Sequence, residues 1–513
     1  MITIPQEILD SIIDQVSYED LQNTLTVSRD FQVATERLRW QYIHVNGDDI
    51  DSLVKLCTGH RVQALRDLTF RVTFPNLRRT EEKGHVNCRP TLEEIRADNE
   101  RFSSQIHGIF QALKALEERA TASGEVLPRI SLNISRPSQL DVGVFCQHRT
   151  YRSWRLCLLR PGELPELSWV RRLSLGEGMC YYGGSNGAYE FPLDLRMLMD
   201  LSIKLTGLEE LSCPYLAERF PRNYDDAVIR HFTHPWEGPW RDSRHGLGAA
   251  IEEQLANLPA RLQRVTLRFG DGDDGECMDQ ARAIPDLTSP RCYDPLSAGI
   301  RMLSENITNL DLQICADSTL FWPSPDEKKR DVPSWPHLKQ LRVRFHIISP
   351  SGDWYFQGPR GEGQEPSKFA VTHEHYPPLT ENETDEHWDE IWEFEGGREE
   401  NIAPDIFRIV PNDAVIEPFL EAFAKAVGNM GVIEEAELCT SLVWYPSDER
   451  QERDYADRPK GDLFGGTRWG LKYSTYKGCR SLEWQTGDWR PNERLHRLFR
   501  ASCGGSDLEE RWI

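Results

Sequence analysis

Gly183-Gly184-Ser185-Asn186-Gly187 has the G-x-S-x-G spacing of a nucleophilic serine. That chemistry needs a strand before the serine and a helix straight after it, so that Oγ is thrust out of a strained turn. Here Met179 to Tyr182 precede, and Ala188 to Phe191 lead directly into Pro192, which reads as a glycine-rich loop. A serine hydrolase using Ser185 is the alternative this stretch leaves open. Asp271, Asp273, Asp274 and Glu276 resemble the acidic half of a calcium loop, yet the twelfth position from Asp271 is Arg282 and the preceding element reads as a strand. His231 with His234, and His373 with His375, have no nearby cysteine and no helical HExxH frame, and they lie beside prolines. No phosphate-cradling glycine motif and no cysteine cluster is present. The expectation is a protein that is not an enzyme and needs no metal or cofactor.

Aromatic side chains carry more information. Trp354, Tyr355 and Phe356 follow a strand pattern, and Trp388 and Trp392 are spaced to share one face of a short helix. All five are candidate anchors for a protein target. The competing reading is that they pin an excursion of the chain back onto its body. That excursion runs over about 350–411 and is rich in Gly, Pro and acid. From His373 to Glu400 it holds eleven acidic residues and one basic residue, Arg398, so a partner binding there would be basic.

The whole chain has 513 residues and a formal net charge of −22. A balance that acidic argues against a phosphate-binding surface, so nucleic acid is not the expected partner. Twelve cysteines are scattered without CxxC spacing, as suits reduced thiols in the cytoplasm or nucleus. The first residues lack a basic region followed by an apolar run, and no stretch is apolar enough to span a membrane.

Two patterns organise the chain. Within the first 46 residues, three short helices are expected, the third ending near Ile43. On the first, Ile8, Leu9, Ile12, Ile13 and Val16 cover an arc of roughly 140°, wider than so small a unit can hide by itself. From residue 47 to 513 a phrase of the form L-x-x-L-x-L recurs, strongly at Leu65–Val72, Leu127–Ile134, Leu262–Phe269, Ile307–Ile314 and Leu338–Phe345. Shorter copies begin at Val170, Leu208, Ile433 and Cys479. The period of two in each tail reads as a short strand with one buried face. Helical patterns lie between, at about Thr91–Ala122, Leu193–Leu205, Leu247–Leu258 and Asp413–Met430. Strand alternating with helix predicts an α/β fold: an irregular leucine-rich-repeat-like solenoid with parallel strands inside and helices outside. The copies lie 31 to 95 residues apart, so helices and long loops must be inserted. A non-repetitive α/β domain is the alternative.

The helical tip itself resembles an F-box. It offers Pro5, Glu7, Ile8, Ile12, Asp20, Leu21, Leu25, Val27-Ser28-Arg29, Phe31, Leu38, Trp40 and Ile43 in the family's order, with Ile4 where the family has leucine. Together with the repeat region, the arrangement is similar to fungal F-box proteins. The resemblance implies an adaptor of an SCF-type cullin–RING ubiquitin ligase. Pro5, Ile8, Ile12, Leu21, Leu25, Val27 and Trp40 would dock the Skp-type adaptor, and the repeat region would bind a protein target. Without that docking, the tip would be a cap over the end of the repeats, and the protein a binding scaffold with no ligase link.

Overall fold

The structure, a computed structural model, describes residues 5–17, 19–75, 91–124, 126–135, 137–140, 154–176, 188–214, 216, 236–270, 278–327, 332–363, 368–380, 383, 387, 404–457, 466–504 and 507–513. It is a mixed α/β protein with twelve α-helices among these residues.

Twelve strands form one sheet: Tyr42–Asn46, Asp67–Arg71, Ile130–Ile134, Val170–Leu175, Glu210–Cys213, Arg264–Arg268, Asn309–Ile314, Gln340–Phe345, Glu435–Leu442, Thr467–Tyr476, Cys479–Gln485 and Leu508–Trp512. They join the sheet in chain order. The first nine are mutually parallel, the next two are added antiparallel, and the last is parallel again. Every copy of the L-x-x-L-x-L phrase lies on one of these strands.

Register explains why the phrase works. Leu68, Leu132, Leu173, Leu211, Val265, Leu310, Leu341, Ala436, Tyr473 and Leu482 are Cα partners in one unbroken row. All ten are buried. Two residues on, Leu267, Leu312, Val343, Leu438, Leu471 and Trp484 make a second buried row. Alternate residues face the other way and are polar: Gln340, Arg342 and Arg344 are exposed while Leu341, Val343 and Phe345 are buried. Successive helices meet one another over the apolar rows, and their inner residues, such as Phe102, Ile106, Ile109, Phe110 and Leu113, belong to the same continuous core.

The longest helix, Leu92–Ala122, begins where expected because Thr91 and Glu94 form a reciprocal capping box. The helix Asp413–Asn429 also matches. The expected helix over Leu193–Leu205 is only Met197–Ser202, and that over Leu247–Leu258 starts earlier, as Glu237–Gln254. The third helix of the tip stops at Arg39, and Tyr42–Asn46 is the first strand of the sheet, so the helical unit ends before the expected boundary at 46. The β-branched Ile43 and Val45 pair beside Leu68 and Phe70, and this tertiary pairing overrides the helical reading.

A polar cluster is buried near the C-terminal ends of the central strands. Arg244 and Asp294, both fully buried, are paired at 2.6 Å. Asp294 also caps the helix Pro295–Ser304 by accepting from the Ser297 N–H. Burial and the Asp294 charge push the Asp317 carboxyl up to about 6. Burial, with Arg244 nearby, pushes the His346 imidazole down to about 4.

These two groups act in opposite senses. The stability from Asp317 is lost as pH rises through about 6, whereas that from His346 is present above the ordinary histidine pKa and lost as pH falls toward 4. Urea unfolding of wild type against H346Q separates them. Between about pH 8 and pH 5 the wild type is expected to lose about 2 kcal/mol more than the variant.

Candidate partner-binding site

The tip consists of α1 (Gln6–Ile13), α2 (Leu21–Thr24) and α3 (Arg29–Arg39). Pro5 starts α1, its fixed φ suiting a helix entry. Ser28 starts α3 by accepting from the Phe31 N–H at 3.2 Å, which gives the Val27-Ser28-Arg29 stretch a local structural reason. Thr24 and Thr35 hydroxyls meet at 2.6 Å and tie α2 to α3.

The wide apolar arc of α1 is divided. Leu9 and Ile13 turn inward with Leu21 and Ala34, flanked by Val16, Phe31 and Leu38, to make a small core of the tip's own. Ile8 and Ile12, one turn apart, point outward and are 52% and 41% exposed. Leu25 and Val27, on the turn between α2 and α3, are 38% and 63% exposed. Fourteen large apolar side chains are exposed among the described residues, and four of them fall within these twenty positions. That concentration sets the tip apart from scattered surface apolar residues.

Two of the expected docking residues are placed otherwise. Leu21 belongs to the tip's own core, where it is buried with Leu9 and Ile13 of α1 and Ala34 of α3. Trp40 is half-buried against the main core, with the Arg61 guanidinium 5.1 Å from its ring. Pro5 is exposed.

Trp40 and Arg61 belong to a junction that sequence reasoning missed. Glu36, on the inward side of α3, accepts from Arg61 Nε and Nη2 at 2.8 Å each. It also accepts from Gln32 Nε2 at 2.8 Å and lies 2.7 Å from His60 Nε2. The paired guanidinium, with the Gln32 and His60 bonds, holds its carboxyl at about 2 despite burial. His60 and Arg61 start the short helix His60–Ala64, so this one carboxylate joins the tip to the sheet-bearing body. No helical period links residues 24 and 25 positions apart, and the sequence carries no signal for the contact.

No family model and no curated protein matches this chain.

The aromatic candidates need correction. Trp354, Tyr355 and Phe356 are 3%, 2% and 0% exposed, which takes them out of reach of a target. Tyr355 stacks on Phe419 at 5.1 Å and donates its O–H to the Ala316 carbonyl at 2.7 Å. Phe356 meets Trp469 edge-on at 5.1 Å, and Trp354 lies under the Arg408 guanidinium at 4.3 Å. They pin the start of the excursion to the core, the second of the two roles weighed for them. Farther along, Tyr376 donates to Asp242 and presses on Gly238, where a Cβ would lie 2.5 Å from its ring. Trp388 and Trp392 lie outside the described residues, as do Ser185, Asp271–Glu276, His231 and His234. The His375 Nδ1 accepts from the Thr372 N–H at 3.0 Å, and its ring stacks on Phe369. No group of three metal-ligating side chains converges among the described residues, and no helix there is long and apolar enough to cross a membrane.

The junction makes a specific prediction. Glu36→Gln removes the charge that four donors share, a loss of roughly 2 kcal/mol, or about 30-fold in the local opening equilibrium. Hydrogen exchange of α1–α3 is expected to accelerate by that factor, with the central strands unchanged.

Proposed function

We propose that this protein is a substrate adaptor of an SCF-type cullin–RING ubiquitin ligase. The tip is an F-box that docks the Skp-type adaptor, and the body is an irregular leucine-rich-repeat-like solenoid that holds a protein target. One observation carries the reading: the tip buries Leu9, Ile13 and Leu21 in its own core and leaves Ile8, Ile12, Leu25 and Val27 facing solvent. Completing their burial against a partner contributes on the order of 1 kcal/mol each. The body, by contrast, closes its apolar rows without help.

On this reading the protein catalyses nothing. It raises the effective concentration of a target near a ubiquitin-loaded enzyme, the arithmetic of a tether. The Glu36–Arg61 junction then fixes the direction in which the body points from the adaptor.

The test is capture of a purified Skp-type adaptor by the full chain. Ile8→Asp combined with Leu25→Asp places charges where apolar contacts are required, and affinity is expected to fall at least about 100-fold. Both side chains are exposed, so the unfolding temperature of the free protein should not change. Undiminished capture by the double variant would overturn the assignment.

A further inference from the structure

The outward face of the sheet is a lattice of charge, and its rows differ. In the first row Arg172 and Arg264 share Glu210 between them, at 3.3 and 2.9 Å. In the second row the order across five adjacent strands is Asp311, Arg342, Glu437, Lys472 and Glu483, so charges alternate in sign. Arg342 reaches Glu437 at 3.1 Å, Arg468 also donates to Glu437, and Lys472 lies 3.2 Å from Glu435.

The third row, at the C-terminal ends of the parallel strands, runs Arg268, Gln313, Arg344, Cys439, Gly470 and Gln485. It holds two guanidiniums and no carboxylate. Among the described residues, Arg268 reaches back only to Asp311, at 4.0 Å. Arg344 is exposed, and its side chain makes no ion pair or hydrogen bond among the described residues. Its lateral neighbours Gln313 and Cys439 are buried, the Arg468 guanidinium donates to Cys439 Sγ at 3.4 Å, and Gly470 beyond has no side chain.

We infer that this third row is a docking strip for an acidic peptide segment of a protein target, with Arg344 and Arg268 each receiving a carboxylate. The inference rests on the reading of the body as the target-binding part, and it names the chemistry of that target. One strand lies between the two arginines, which puts them two inter-strand spacings apart, about 10 Å at 4.8 Å per spacing. An extended peptide spans that distance in about three residues. A guanidinium takes a carboxylate in bidentate fashion. Asp311 and Glu437 flank the row, and their repulsion favours singly charged carboxylates over doubly charged phosphates. The −22 net charge of the chain does not forbid the match, because screening confines it to about 8 Å at physiological ionic strength.

The probe is a fluorescein-labelled peptide of Glu-Gly-Gly repeats, titrated with the full chain and read by anisotropy. Peptides of Lys-Gly-Gly and phosphoserine-Gly-Gly repeats are the comparators. The Glu peptide is expected to bind, more weakly as salt rises, and Arg344→Glu is expected to weaken it at least about ten-fold. Lys477→Ala, in an exposed turn outside the row, should change nothing. The proposal is overturned if the Glu peptide does not bind, if only the phosphoserine peptide binds, or if Arg344→Glu binds as wild type does. The Ile8→Asp, Leu25→Asp variant separates the two readings. Peptide binding that survives while adaptor capture fails to depend on the tip removes the ligase link alone. Intact tip-dependent capture without peptide binding removes the acidic-peptide strip alone.

Discussion

Twelve strands stay together because each contributes inward side chains to the same two apolar rows. Parallel neighbours in register place Leu68 beside Leu132, Leu132 beside Leu173, and so on across the sheet. A slip of one residue would turn every one of them toward solvent and bring Asp67 or Arg172 inside. Register is therefore specified at every strand, and the helices need only cover one face. At the far edge the inward row ends in Glu510, which is paired with His496 and Arg500, while Trp512 stacks on Trp484. An inward charge at the last strand discourages another strand from adding.

The single-sided core has a consequence for the other face. Nothing apolar is asked of it, so its composition is free to be set by pairing between neighbouring strands. Most of its charges are matched across adjacent strands. Among the described residues the Arg344 guanidinium is unmatched, whereas Arg172, Arg264, Arg342 and Lys472 on the same face are paired.

The tip obeys a different constraint. About 35 residues in three short helices can enclose only a few side chains, and Leu9, Ile13, Leu21 and Ala34 fill that space. The remaining aliphatic residues of the arc must face outward whatever their use. What fixes the unit in space is polar: one carboxylate shared by Arg61, His60 and Gln32, with Trp40 under the guanidinium. A buried, fully bonded charge of this kind contributes direction more than net stability.

Local pattern alone determined the strands of the repeated phrase, the long helix capped by Thr91, and the excess of aliphatic residues on α1. These are effects of period two, period 3.6 and capping, which act between residues close in the chain. Tertiary structure decided everything that joins distant residues. It placed Tyr42–Asn46 in the sheet, because Ile43 and Val45 find partners in Leu68 and Phe70. It turned Trp354, Tyr355 and Phe356 inward, because Phe419 and Trp469 offer aromatic faces more than sixty residues away. It also chose which half of the α1 arc is buried. Periodicity marks an apolar side chain as needing cover, but only the approach of α3 and Leu21 decides which ones receive it and which still face water.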